Sequence, residues 1–245
     1  MTQTSDILSG KLKGSGYFIS KKIGKAIEDF DLIKKGDRIL IAVSGGKDST
    51  ALLALLAKRR EFAPIDFYLK AVYVHSRTDS CRYPETFKTL CRKLGVESVV
   101  RRLSVDVPKK RACFVCSWHR RKILFTLAAN SRCNKVALAH TKDDIVQTTL
   151  LNLFFNGEIS TMVPRQRLFK GKITLIRPLA YVEEDEIRRF CKAEELPLHT
   201  CRCRFKDLSK RKLVQTMIAA AEKVNPATKT NVLRALGRIK KGYLL

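Results

Sequence analysis

The chain has 245 residues, 45% of them hydrophobic, enough for one α/β domain with extensions or two small domains. Its 49 Lys and Arg against 23 Asp and Glu leave a net charge of +26, which calls for a polyanionic partner, nucleic acid first and an anionic membrane surface second. No apolar run approaches the ~18–20 residues of a membrane span, and MTQTSDILSGKLKGSG has no apolar centre to act as a secretory leader, so a spanning chain is excluded and a cytoplasmic one expected.

In chain order, residues 1–16 read as a polar tail, and Tyr17–Phe30 as an amphipathic helix with lysines between its apolar positions. Lys35-Gly36-Asp37 turns the chain into Ile39–Val43, a short β-branched run that reads as a buried strand. Ser44-Gly45-Gly46-Lys47-Asp48-Ser49 follows, and an Ala/Leu-rich helix runs on through Ala57. Strand, glycine turn and helix start make an anion cradle, because glycines permit a tight bend and the first helical N–H groups point at negative charge. The spacing is not that of the common P-loop, which needs four residues between its first glycine and Gly-Lys-Ser/Thr. Lys47 adds a cation, and Asp48 is a candidate Mg²⁺ ligand.

Tyr68–His75 reads as a second strand, Pro84–Leu94 as a helix and Ser98–Leu103 as a third strand. A helix is expected over Arg120–Ala129 and a strand over Lys135–Ala139, which ends in His140-Thr141-Lys142-Asp143-Asp144. Ile145–Phe155 is then a helix, for which Asp143 and Asp144 are natural caps. Asn156–Lys172 reads as loop, Ile173–Arg177 as strand, Glu183–Glu195 as helix, and Phe205–Leu245 as basic helix interrupted at Asn225-Pro226. Alternating strands and helices predict an α/β fold with a doubly wound parallel sheet, whose ligands sit beyond the carboxyl ends of the strands. The expected organisation is a basic tail and helix over 1–35, a nucleotide-binding domain over 36–200 and a basic helical extension over 201–245 on the same domain.

Eight cysteines in a cytoplasmic chain point to metal or redox chemistry rather than disulfides. Cys91, Cys133 and Cys191 lie in helix-like patterns and read as small buried hydrophobes. Cys113-x-x-Cys116, placed just before the Arg120–Ala129 helix, and Cys201-x-Cys203 lie among Lys109, Lys110, Arg111, Arg120, Arg121, Arg202 and Arg204, which favour thiolates. Four such ligands would close a structural zinc site; three would hold an iron–sulfur cluster with one iron open. The residues alone leave both open. Trp118, beside the first pair, reads as a core residue before it reads as a base-stacking one.

Ser44–Ser49 resembles the pyrophosphate loop of the N-type ATP pyrophosphatases (PP-loop proteins), which split ATP between its α and β phosphates. IEDFDLIKKGDRILIAVSGGKDS, CFVCSWHRRKILF, VALAHTKDDIVQTTLLNLFFNGEISTMVP, IRPLAYVEEDEIRRF and LPLHTC together resemble the tRNA 2-thiocytidine synthetases of the TtcA type, over about Lys21–Arg238. That resemblance implies a PP-loop fold, ATP-dependent sulfur insertion at cytidine 32 of tRNA, and a [4Fe–4S] cluster on three cysteines. Cys113 and Cys116 match the family's CxxC, and Cys201 its third cysteine. Where the family usually has Cys-x-x-Cys, this chain has Cys201-Arg202-Cys203, so Cys203 is an alternative third ligand. His75-Ser76-Arg77 replaces the acidic or amide residue that often follows the family's second strand.

The expected mechanism makes the cytidine 2-keto oxygen a leaving group by tying it to AMP, and then displaces it with sulfur. Ser44, Gly45, Gly46, Lys47 and Ser49 would hold pyrophosphate. Asp48 with Asp144 or Asp143 would place Mg²⁺. Backbone near Ala42, Val43 and Val74 would face adenosine, and His140 would touch ATP or its α-phosphate unless it is a buried structural histidine. Lys47, Asp48, Cys113, Cys116 and Cys201 are the candidate catalytic residues. The expected partners are tRNA, a cysteine desulfurase or other persulfide or sulfide donor, and a second copy of the chain; no membrane is expected. Direct persulfide chemistry at Cys113 or Cys116, a PP-loop ligase using an amine, uridine thiolation, and non-catalytic RNA and ATP binding are the competing readings.

Overall fold

In the computed structural model, the structure describes residues 12, 14–76, 83–103, 112–199, 209–240 and 242. Among the described residues six strands form one sheet, in the order β3-β2-β1-β4-β6-β5. They are β1 (Arg38–Val43), β2 (Tyr68–Ser76), β3 (Glu97–Leu103), β4 (Lys135–Ala137), β5 (Arg165–Leu168) and β6 (Ile173–Ile176). All neighbours pair in parallel except β5, which runs antiparallel to β6 at the edge. The α/β doubly wound fold expected from the alternation is the one observed.

The helices are α1 (Gly14–Asp29), α2 (Lys47–Phe62), α3 (Tyr83–Lys93), α4 (Ala112–Asn130), α5 (Lys142–Asn156), α6 (Glu184–Ala193), α7 (Ser209–Val224) and α8 (Thr228–Ala235). Strand alternation sorts the core into two layers. Ile39, Ile41 and Val43 of β1 face a large core with α1, α2, α3 and α6, including Ile23, Leu52, Phe87 and Phe190. Leu40 faces the other way, onto Val72, Leu124 and Ala128 under α4. A third, small cluster of Val146, Val214 and Ile218, with Val232 against it, seats α7 and α8 on α5.

The sheet is pinned at its amino end by a buried ion pair, Lys135 Nζ to Asp37 Oδ2 at 2.6 Å. Lys135 also donates to the Leu32 carbonyl at 2.7 Å, and Asn134 donates to the other Asp37 oxygen at 2.8 Å. These bonds satisfy charges that burial would otherwise penalise. No helix among the described residues is long and apolar enough to cross a membrane.

Four local readings change. The Asn156–Lys172 stretch holds β5 and a short 3₁₀ turn, because Arg-Gln-Arg-Leu at a sheet edge needs no apolar alternation to pair. The helix expected from Arg120 begins eight residues earlier, at Ala112, so Cys113 and Cys116 lie in its first two turns rather than before it; nothing from Ala112 to Arg120 breaks a helix. Cys133 is buried as expected but sits after α4 rather than in a helix. Trp118 is 52% exposed with Lys122 over its ring, so it is not core.

Candidate active site

The chain leaves β1 at Val43 and bends at once. Gly45 has φ +86°, a conformation that disfavours any side chain. A Cβ there would also lie 2.9 Å from Tyr83 Cε1 and 3.0 Å from His199 Cβ. Two serines brace the bend: the Ser44 N–H donates to Ser49 Oγ at 3.0 Å, and the two hydroxyls lie 3.0 Å apart. Ser49 Oγ also lies 3.0 Å from the Gly46 carbonyl it donates to, and the Gly46 N–H donates to Ser44 Oγ at 3.3 Å. Gly46 is the N-cap of α2, with no side-chain cap, so the helix start keeps its N–H groups for an anion.

The far wall of the cradle comes from distant sequence. The His199 N–H donates to the Gly45 carbonyl at 2.8 Å. Its ring stacks on Tyr83, with centroids 5.2 Å apart, and Tyr83 meets Tyr73 of β2 edge-on. The segment leading to Cys201 is therefore tied to the glycine turn. Neither Tyr83 nor His199 has a role readable from the sequence; Tyr83 opens α3, and His199 follows α6, which packs on α2.

Lys47 Nζ sits 3.1 Å from Asp48 Oδ2 and 2.7 Å from Glu184 Oε1. Burial works against the lysine's charge, but the two carboxylates outweigh it and its pKa moves up. The second Asp48 oxygen, Oδ1, is buried with no hydrogen-bond partner. Burial pushes the Asp48 carboxyl above the usual range; Lys47 opposes this, and the charges of Glu184 and Asp144 add to it. A buried, unpaired carboxylate oxygen near two more acids suits a cation. Among the described residues no three His, Cys, Asp or Glu side chains could hold a metal by themselves, so Mg²⁺ at Asp48 would need oxygens from phosphate and water.

Asp144 caps α5. Its Oδ2 accepts from the Thr141 N–H at 2.9 Å, and Thr141 Oγ1 accepts in return from the Asp144 N–H. Asp143 is committed elsewhere, accepting from the Glu184 N–H at 2.8 Å and pairing with Lys229 Nζ at 2.8 Å. Of the two aspartates, Asp144 is the one whose charge Asp48 senses. Ala42 and Val43 end β1 and Val74 lies on β2 alongside, so the expected adenosine-facing backbone shares one sheet edge.

His140 follows β4, the strand next to β1. Arg177, 6% exposed, donates from Nε to His140 Nδ1 at 3.1 Å. Burial first, then the Arg177 charge, pushes the His140 pKa down to about 4; Asp144 opposes this, and Arg121 and Arg211 add to it.

Of the cysteines, only Cys116 has its side chain among the described candidates; it is half-buried and packs under α4 against the layer that contains Val74 and Leu103. Cys113 has its backbone in the first turn of α4, and its side chain, like Cys201 and Cys203 entirely, lies outside the described residues. Cys91 and Cys191 are buried, and burial raises both thiols to about 12, which suits inert core residues.

A serine–glycine pyrophosphate cradle at the carboxyl edge of a parallel sheet defines the PP-loop class, and a family model described as a PP-loop domain matches residues 18–218. The chain is 39% identical over 237 residues to a tRNA-cytidine(32) 2-sulfurtransferase of Geobacter sulfurreducens, covering 93% of this chain and 91% of that one. It is 41% identical over 233 residues to the enzyme of the same name from Anaeromyxobacter dehalogenans, covering 90% and 79%. The chain belongs to this PP-loop family of tRNA-cytidine(32) 2-sulfurtransferases. Among solved structures, the U34-tRNA thiolase NcsA from Methanococcus maripaludis, with its [4Fe-4S] cluster, superposes with a TM-score of 0.72 at 24% identity, over 94% of this chain and 81% of that one. The NH3-dependent NAD synthetase from Campylobacter jejuni gives 0.50 at 15% identity, over 96% and 100%. At these identities the likeness is one of fold.

Proposed function

We propose that this chain adenylates the C2 oxygen of a cytidine in tRNA, at position 32, and replaces that oxygen with sulfur. The keto oxygen attacks the α-phosphorus of ATP, the α–β bond breaks and pyrophosphate leaves. Hydrosulfide then adds at C2, and the C2–O bond breaks to release AMP. The observation that carries this reading is the Gly45–Asp48 cradle: a turn only glycine fits, N–H groups left for an anion, and a buried carboxylate oxygen without a partner.

Ser44, Gly45, Gly46 and Ser49 hold the β and γ phosphates, and Lys47 moves from Glu184 to the pyrophosphate as negative charge grows on it. Asp48 and Asp144 would hold Mg²⁺, whose positive charge offsets that of the phosphates. Cys113, Cys116 and Cys201, or Cys203, would hold a [4Fe–4S] cluster; Cys116 lies half-buried on the strand layer, and Arg120 and Arg121 follow it with positive charge for an anionic cluster. When bound, such a cluster supplies an open iron that keeps a sulfur nucleophile at hand. The tie between Gly45 and His199, two residues before Cys201, supports one shared crevice.

Residues 36–200 then form the PP-loop domain, flanked by basic segments 1–35 and 201–245 that hold tRNA phosphates. The sulfur comes from a sulfide donor, or from a cysteine desulfurase or other persulfide donor whose outer sulfur is released as hydrosulfide by two electrons from a pair of thiols that becomes a disulfide, in the cytoplasm, and two copies of the chain pair as a homodimer. The test of the adenylation step is Asp48→Ala in protein reconstituted anaerobically with iron and sulfide. AMP formation is abolished while tRNA binding persists; normal AMP formation, or loss of tRNA binding with normal turnover, contradicts the assignment.

A further inference from the structure

The contact between His140 and Arg177 has a chemical consequence for the crevice beyond the steps of the proposed reaction. Arg177 is almost fully buried and donates two hydrogen bonds, from Nε to His140 Nδ1 at 3.1 Å and from its guanidinium to the Val163 carbonyl. A guanidinium carries only donors. The histidine nitrogen that faces it must therefore present a lone pair, and the ring's one proton must sit on the opposite nitrogen, Nε2. Pro178 follows Arg177 directly, and the Arg177 N–H is held by the Pro164 carbonyl at 2.8 Å, so the arginine itself is fixed.

The charges around the ring agree with this. Arg177 follows β6, Arg121 is on α4, Arg211 is on α7, and Asp144 on α5 opposes them; among the described residues these are the charges that act most on His140. Three arginines from three elements make this corner of the crevice cationic, which attracts an anionic oxygen and disfavours a second positive charge on the imidazole. His140 also follows β4, the strand beside β1, which delivers the phosphate cradle.

We propose that Arg177 is a positioning residue that locks His140 as a neutral imidazole with its proton on Nε2, so that His140 serves a substrate phosphate oxygen as a hydrogen-bond donor only. The inference rests on the adenylating reading for what binds, but not for the tautomer, which belongs to the unliganded protein. The phosphate is either the α-phosphate of ATP or the tRNA phosphodiester beside the target nucleotide. The role differs from that of a phosphate-binding imidazolium, because a locked neutral ring donates equally well at neutral and mildly acidic pH.

The test is ¹⁵N NMR of the histidine-labelled protein without ligands, with His140 among the 4 histidines assigned from the spectrum of His140→Gln. The expected result is a protonated Nε2 and an unprotonated Nδ1, unchanged from about pH 8 to about pH 5.5. A proton on Nδ1, or a titration near the ordinary histidine pKa, overturns the proposal. Arg177→Met should release the ring into mixed tautomers and lower kcat for AMP formation about tenfold, with Arg177→Lys, which keeps a donor, recovering part of it. Loss of activity in Arg177→Met with the tautomer unchanged assigns Arg177 a purely structural role and overturns its positioning one. His140→Gln keeps a donor at the outer position and should outperform His140→Phe. In His140→Phe a raised KM for ATP identifies the ATP phosphate and a weakened tRNA Kd the phosphodiester; if neither constant moves, His140 touches no phosphate. Failure to form thiolated nucleoside leaves the NMR result standing, so the two readings fail separately.

Discussion

One methyl group at Gly45 decides whether the cradle can close. Gly45→Ala must hold a positive φ and push a Cβ into the Tyr83 ring and His199. A cost of about 1–2 kcal/mol in urea unfolding is expected, together with weakened ATP binding. His140 gives a second prediction at this scale. Its folded-state pKa of about 4 lies below the ordinary histidine value. Unfolding therefore takes up a proton between those two values, so the residue's contribution is complete above pH ~6.5 and is lost as pH falls toward about 4. The urea midpoint of wild type should fall across that window more steeply than that of His140→Gln; parallel curves would mean that the imidazole is not buried neutral. At this scale Ser44–Ser49, His140 and Asp144 were legible, because a glycine turn after a clean strand and acids at a helix start announce themselves. Glu184, Arg177, Tyr83 and His199 were not, because each reaches the loop or its neighbour only through tertiary packing: Arg177 by the order of the strands, Glu184 and His199 by the seating of α6 on α2, and Tyr83 from the start of α3. Arg177 stood inside IRPLAYVEEDEIRRF without a role, and Glu184 read only as part of the Glu183–Glu195 helix.

At the scale of elements, α5, α6, α7 and α8 meet around one lysine. Lys229 Nζ lies 2.8 Å from Asp143, 3.2 Å from Glu222 and 3.8 Å from Glu183. Lys142 repeats the motif, pairing with Glu183 at 2.9 Å and donating to Thr230 Oγ1 at 2.8 Å. Because Asp143 also accepts from the Glu184 N–H, and Glu184 pairs with Lys47, the C-terminal helices are linked to the cradle through contiguous bonds. Lys229→Ala leaves three carboxylates facing one another and should destabilise the protein by about 2 kcal/mol, measured by urea unfolding at neutral pH. The loss should shrink in acid, where the carboxylates take up protons; a loss independent of pH would point to packing alone. The helices and central strands were legible because apolar periodicity is strong in buried elements. β5 was hidden because an edge strand of polar residues carries no such pattern, and the start of α4 because no glycine or proline marks it.

The whole molecule joins a compact sheet to an excess of positive charge that no internal pairing consumes. The net charge of +26 agrees with a nucleic-acid substrate. Exposed Trp118 on α4 and the basic start of α7, with Lys210 over the Phe155 ring, place cationic and aromatic groups on helices that neighbour the crevice. Fold and partner class were thus readable from composition and alternation, while the tie between the cradle and His199 depends on the closed three-dimensional chain. The most direct test of the central claim is a stoichiometry. The reconstituted protein is incubated anaerobically with α-labelled ATP, Mg²⁺, sulfide and unmodified tRNA, and labelled nucleotides and tRNA nucleosides are quantified together. One AMP for each 2-thiocytidine is the predicted result; 2-thiocytidine formed without AMP, or with ADP in its place, would contradict the account.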